Sequence, residues 1–163
     1  MVQLTLILDN LRSAYNIGAI LRTCDAAGVH QVFACGTTPY PKLKNDSRDP
    51  VISGRNTREI AKTALGAEKT VMVEHFNDTA SAINYCRAHK WTLIGLEQSS
   101  ESKNLFEYSP PQNIALIVGN EVEGLNAEAL GACDIIAEIP QRGTKESLNV
   151  SVATGVALYT LLF

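Results

Sequence analysis

Apolar and polar positions along the chain fall into two alternating rhythms, short apolar runs and longer stretches with helical spacing. Val2–Leu8 predicts a strand, and Ala14–Ala27 a helix closed by Gly28. A second strand over Gln31–Cys35 leads into a loop rich in Gly, Thr, Pro and Lys that runs to about Gly54. Thr57–Leu65 predicts a helix ended by Gly66, and Thr70–Glu74 a strand. Asn77 or Asp78 caps a helix reaching His89, with Ala80, Ile83 and Cys86 at helical spacing. Trp91–Leu96 predicts the next strand, and a polar stretch containing Pro110-Pro111 follows it. Ile114–Val118 is uninterruptedly apolar, the pattern of a strand buried on both faces. A short helix near Ala127–Leu130, a strand over Ile135–Ile139, a polar loop and a helix over Leu148–Leu162 complete the pattern. Strands separated by helices predict an α/β fold: a mostly parallel sheet of about six strands with helices on both faces.

Composition narrows the setting. The 163 residues are 45% hydrophobic and 19% charged, which predicts one globular domain without a separate RNA-binding domain or linker. No apolar run approaches membrane-span length and Met1–Leu4 lacks a signal-peptide pattern, so the expectation is a cytoplasmic protein with no membrane partner. Cys24, Cys35, Cys86 and Cys133 are scattered, with no C-x-x-C pair and no histidine at ligand spacing. They read as buried thiols, and no metal is expected. The net charge of −3 excludes a globally basic nucleic-acid clamp. One local exception stands out: residues 42–62 hold six basic residues (Lys42, Lys44, Arg48, Arg55, Arg58, Lys62) against three acidic ones. That stretch is either a solvated face or a basic patch.

In open α/β sheets ligands sit beyond the carboxyl ends of the strands, which directs attention to the loops after Leu8, Val118 and Ile139. In the first, Asn16, Gly18 and Arg22 lie near a helix start, with Arg22 in its first or second turn. Taken singly, Asn16 reads as a cap and Arg22 as a surface or ion-pairing residue. Neither the dinucleotide fingerprint nor a phosphate loop is present, which disfavours a plain nucleotide-binding domain. In the second, Gly119-Asn120-Glu121 with Gly124 lets backbone approach a ligand closely. In the third, Ser147 is placed to open the last helix, and Asn149 and Ser151 are polar where a core helix favours apolar side chains. They are caps, or groups aimed into a pocket.

Three motifs, in order and across nearly the whole chain, resemble the signature of the SpoU (TrmH-like) branch of the SPOUT RNA methyltransferases. They are Asn16-Ile17-Gly18-Ala19-Ile20 with Arg22-Thr23, Gly119-Asn120-Glu121 with Gly124, and Ser147-Leu148-Asn149-Val150-Ser151-Val152-Ala153. The resemblance implies a deep trefoil knot formed by the C-terminal segment, a homodimer with each site near the subunit interface, and S-adenosyl-L-methionine as cofactor. It implies a cofactor pocket at Leu96, Gly119, Ile139 and Leu148. It also implies a catalytic Arg22, with Asn16, Glu121, Ser147 and Asn149 orienting it and the substrate. The end of the chain, Leu161-Leu162-Phe163, is apolar and calls for cover by the core or a partner.

The implied reaction is methyl transfer to a ribose 2′-hydroxyl of RNA, with tRNA ahead of ribosomal RNA. Guanidinium stays charged in proteins, so Arg22 is expected to hold phosphate and stabilise developing alkoxide charge rather than act as a base. RNA contact is expected from the 42–62 segment, from Arg142 and Lys145, and from Tyr40 stacking on a base. An accessory RNA-binding partner would supply further affinity. The competing reading is a non-catalytic RNA-binding or assembly protein that retains the fold; a base methyltransferase is disfavoured by the third motif.

Overall fold

The computed structural model describes residues 2–145 and 147–163. Strand β1 (Gln3–Asp9) leads to helix α1 (Ala14–Ala27), β2 (Gln31–Cys35), α2 (Pro50–Ala64), β3 (Met72–Phe76) and α3 (Thr79–Ala88). Then follow β4 (Thr92–Leu96), β5 (Lys103–Asn104), β6 (Asn113–Val118), α4 (Ala127–Ala132), β7 (Ile135–Glu138) and α5 (Val150–Leu162). The strands form one sheet in the order β3-β2-β1-β6-β4-β7-β5, and every pairing is parallel.

Period-2 alternation assigns the two faces. Leu4, Leu6 and Leu8 of β1 and Ile114, Leu116 and Val118 of β6 pack with α1, α2 and α5. Ile7, Ala115 and Ile117 point the other way, into the layer with α3 and α4. Both faces are covered, so the central strands are apolar throughout, as parallel sheets require.

Helix α1 follows its sequence pattern closely. The Ser13 hydroxyl accepts from the Asn16 amide at 3.3 Å, and Ile17, Ile20, Leu21 and Cys24 are buried. Gly28 closes the helix in the left-handed conformation, with φ of 78°. Arg22 lies in the third turn of this helix, beyond the expected first or second.

Three elements depart from expectation. Helix α2 begins at Pro50 instead of Thr57, because the Asp49 carboxylate caps the Val51 and Ile52 amides and Pro50 occupies the first helical turn. Val51 and Ile52 are exposed, so no buried apolar stripe marks these turns. A seventh strand, β5, is two residues long and pairs only with β7. Helix α5 starts at Val150, because Asn149 is its N-cap and Ser147 precedes the helix. Cys24, Cys35 and Cys86 are buried and Cys133 half-buried, and burial pushes the thiols up to about 12 (Cys24, Cys35) and about 11 (Cys86, Cys133). No helix among the described residues is long and apolar enough to cross a membrane.

Gly18 is where α1 meets α2. The Thr63 hydroxyl donates to the Tyr15 carbonyl at 2.8 Å, and a Cβ at residue 18 would overlap Thr63 Oγ1 and the Ile60 carbonyl. Gly18→Ala therefore lowers stability by about 1–3 kcal/mol, despite alanine's better helix propensity, as read by urea denaturation.

Candidate active site

The carboxyl ends of β4, β6 and β7 lie side by side and open onto a cavity of about 440 Å³, within the range of small-ligand sites. Its walls come from three parts of the chain: residues 96–98, residues 118–124, and residues 138–141 together with 147–153. All four residues expected at a cofactor pocket, Leu96, Gly119, Ile139 and Leu148, line it, as do Glu121, Ser147 and Asn149. Leu96, Val118, Ile139, Leu148 and Val150 supply an apolar lining. Gly119 sits where the chain doubles back. The Asn120 and Gly124 backbones bond each other at 3.1 and 2.9 Å, and a Cβ on Gly119 would overlap the backbone of Gly124 and Leu125. Only glycine fits this close approach.

At the rim, a line of hydrogen bonds joins three residues far apart in sequence. Asn149 Nδ2 donates to Asn16 Oδ1 at 3.3 Å, and Asn16 Nδ2 donates to Glu121 Oε1 at 3.1 Å. The Arg12 and Ser13 amides also donate to the Glu121 carboxylate, at 3.1 and 3.3 Å. Asn149 Oδ1 caps α5, accepting from the Ser151 amide at 2.8 Å and the Ser151 hydroxyl at 2.6 Å. Asn149 is thus both a cap and part of the rim, and Ser151 is turned toward that cap. Ser147 is exposed at the cavity's edge.

Arg22 is not brought to this cavity. It is exposed on α1 and lines a separate shallow depression with Lys62, Thr63, Leu65 and Tyr159. The expected grouping of Arg22 with Asn16, Glu121 and Asn149 therefore does not form within one chain. The cause is helical geometry: six residues past Asn16, the side chain has turned to another side of α1.

Two further expectations are corrected in the loop between β2 and α2. Tyr40 is only 8% exposed; the Arg48 guanidinium lies 3.4 Å from its ring centre and the His75 ring is stacked at 4.4 Å. With both partners packed on its ring, Tyr40 is not free to stack on a base. Arg48 is equally committed: it pairs with Asp46 at 2.5 Å and donates to the Tyr40 and Pro41 carbonyls at 3.0 and 3.2 Å. The hydrogen bonds from Arg48 hold the Asp46 carboxyl well below the usual carboxylate range. The rest of the basic set, Lys42, Lys44, Arg55, Arg58 and Lys62, is exposed, and so are Arg142 and Lys145 on the loop that walls the cavity.

Sequence reasoning missed Glu97 and Glu138, which also line the cavity. Glu97 accepts from the Gln98 and Leu125 amides at 2.9 Å each. Each follows or ends a strand at the sheet's carboxyl edge, which is the signal that could have found them.

The family described as "SpoU rRNA Methylase family" matches residues 3–159. Among curated proteins, the 23S rRNA (guanosine-2′-O-)-methyltransferase RlmB of Neisseria meningitidis serogroup B is 36% identical over 155 residues, 95% of this chain and 56% of that protein. The chain thus spans little more than half the length of this curated relative. An AdoMet-bound rRNA methyltransferase from Sinorhizobium meliloti superposes with a TM-score of 0.79 at 26% identity, covering 97% of this chain and 55% of that one. The A. aeolicus TrmH/SpoU tRNA modifying enzyme gives a TM-score of 0.79 at 28% identity, covering 98% and 74%.

Burial raises the Glu121 pKa, but hydrogen bonds from its own amide, Asn16, Arg12 and Ser13 outweigh it, and the net shift is downward. A lowered folded-state pKa contributes stability that is complete above the unfolded value and is lost as pH falls through the folded one. The stability of the wild type relative to Glu121→Gln accordingly rises with pH through the acidic carboxylate range and is level at neutral pH, as measured by thermal denaturation in a pH series.

Proposed function

Because the chain belongs to the SpoU rRNA methylase family, we propose that it transfers a methyl group from S-adenosylmethionine to a ribose 2′-hydroxyl of RNA. The observation that carries this reading is the cavity beyond β4, β6 and β7 with the Asn149–Asn16–Glu121 line at its rim. The residues present suit the cofactor. The apolar lining and bare backbone at Gly119 receive a flat base, and the Glu97, Glu121 and Glu138 carboxylates complement a cation. Leu96, Gly119, Ile139 and Leu148 would hold it. When bound, the cofactor supplies a sulfonium methyl that is already electrophilic.

What remains for the protein is to present the ribose oxygen in line, a positioning task worth roughly 7–11 kcal/mol in favourable cases. Glu121 stays ionised and fixes the Asn16 amide, and the Asn16–Asn149 contact ties the first helix to the start of α5. Ser147, exposed at the cavity's edge, is in reach of substrate. The knot belongs to the same reading, since the three segments that wall the cavity are those a C-terminal crossing would bring together.

The preference for tRNA gives way to ribosomal RNA, because the curated relative at 36% identity acts there. Lys42, Lys44, Arg55, Arg58, Lys62, Arg142 and Lys145 are the exposed cations that would meet phosphate.

Arg22 enters through a second copy of the chain. Helix α5 exposes Val152 and Tyr159, Phe163 just past its end is 87% exposed, and Tyr159 shares the depression that holds Arg22. A homodimer covering this face gives the apolar stripe a partner and carries Arg22 toward the other subunit's cavity. There its fixed charge would hold phosphate and stabilise developing alkoxide.

Calorimetric titration with S-adenosylmethionine is expected to give saturable binding at one site per chain, abolished by Leu148→Arg. The absence of heat and of thermal stabilisation would favour a non-catalytic RNA-binding protein instead. Labelled-methyl transfer to ribosomal RNA, with tRNA as the comparison, then reads the substrate. Arg22→Ala and Leu148→Arg are each expected to be inactive alone. Mixed, they recover about a quarter of wild-type transfer, because half of the random pairs hold one complete site. A mixture as inactive as its parts places Arg22 in its own chain's site.

A further inference from the structure

One loop serves both halves of the proposed site. Residues 119–124 wall the cavity with Gly119, Asn120, Val122 and Gly124, and the same loop presents Glu121 to Asn16. The paired Asn120 and Gly124 backbones close this loop on itself. Beside the bonds from the Arg12 and Ser13 amides to Glu121, the loop is attached on the β1 side through the Asn120 side chain. Asn120 Oδ1 accepts from the Val122 and Glu123 amides at 2.9 and 3.2 Å, which fixes the loop's shape. Asn120 Nδ2 donates at 2.8 Å to the carbonyl of Asn10, and that bond fixes the loop's position against the end of β1.

Asn10 is unusual in its own right. It follows the last residue of β1 with φ of 52°, in the left-handed region that side chains other than Asn, Asp and Gly rarely adopt. The direction of its carbonyl is set by this backbone conformation. Its side chain is engaged elsewhere. Asn10 Oδ1 accepts from the Thr37 amide at 3.0 Å and the Thr37 hydroxyl at 3.3 Å, and Nδ2 donates to Asp9 Oδ1 at 2.9 Å. None of these side-chain bonds reaches the cavity loop, and only the carbonyl does.

We infer that Asn10 is a positioning residue for the cavity, and that it acts through its left-handed backbone rather than its amide. The turn at Asn10 aims the carbonyl that anchors Asn120, and Asn120 in turn holds the loop that presents Glu121. The inference rests on reading this cavity as the cofactor site.

The test compares Asn10→Gly with Asn10→Ala by hydrogen exchange at the Val122 and Glu123 amides and by calorimetric affinity for S-adenosylmethionine. Glycine adopts the left-handed turn freely, although it loses every side-chain bond. Exchange and affinity in Asn10→Gly should therefore stay within about threefold of wild type. Alanine resists the turn, and should raise exchange at both amides and weaken cofactor binding about tenfold. Exchange at Leu116 and Ile117, in the middle of β6, should be unaltered in both. Equal effects of the two substitutions would overturn the inference, because the side-chain bonds would then carry the role. Wild-type behaviour in both would overturn it as well. If Asn10→Ala does not fold, Asn10→Gly decides alone: a tenfold rise in exchange overturns the inference and a wild-type rate supports it. If the wild type binds no cofactor, the reading of the cavity fails, and the exchange rates still decide the role of Asn10.

Discussion

The carboxylate of Asp9 ends the first strand inside the protein, 2% exposed, and much of the site edge is arranged around it. A carboxylate in such a place is tolerated only when its oxygens are well supplied with donors. Here Thr79 Oγ1 donates at 2.5 Å, Asn126 Nδ2 at 3.0 Å and Asn10 Nδ2 at 2.9 Å. Each donor belongs to a different piece of the molecule: Thr79 opens α3, Asn126 caps α4, and Asn10 begins the loop toward α1. One buried polar group thus registers two helix starts against the end of β1. The loops that wall the cavity leave the neighbouring strands at the same edge.

Much of the architecture was legible in the chain because it rests on local periodicity. The Ile17, Ile20, Leu21 and Cys24 stripe, the Ser13 cap and the Gly28 stop define α1 without tertiary information. The unbroken run ending at Val118 announced a strand covered on both sides. The start of α2 was hidden for the converse reason. Its first turns bury little beyond Ser53, so a proline, a capping aspartate and two exposed aliphatics looked like more loop. Strand β5 has two residues and no period to detect.

At the site, legibility followed side-chain type and stopped at side-chain partnership. The positions Leu96, Gly119 and Ile139 come from the family resemblance, while the parallel-sheet rule by itself points only to the loops after Leu8, Val118 and Ile139. The joining of Asn149 to Asn16 spans 133 positions, and no local pattern encodes it. Tyr40 and Arg48 looked available because aromatic and basic residues in a polar loop usually are. Asp46 and His75 take them out of circulation, and that pairing exists only in three dimensions. Arg22 lies on another side of α1 from Asn16, beside Tyr159.

The pairing of β1 with β6 has a consequence for how the molecule is made. Leu4 meets Ile114 and Leu6 meets Leu116, so β1 waits until β2, β3, β4 and β5 have all been made before its central neighbour exists. Until then β1 has β2 on one side, and the unpaired N–H and C=O groups of its other edge stay open to any passing strand. Early hairpins cannot relieve this, because every neighbour is parallel and none is reached by a tight turn. Slow closure and a sticky half-built sheet follow from topology alone, which makes the nascent chain, more than the finished protein, the natural client of a folding chaperone.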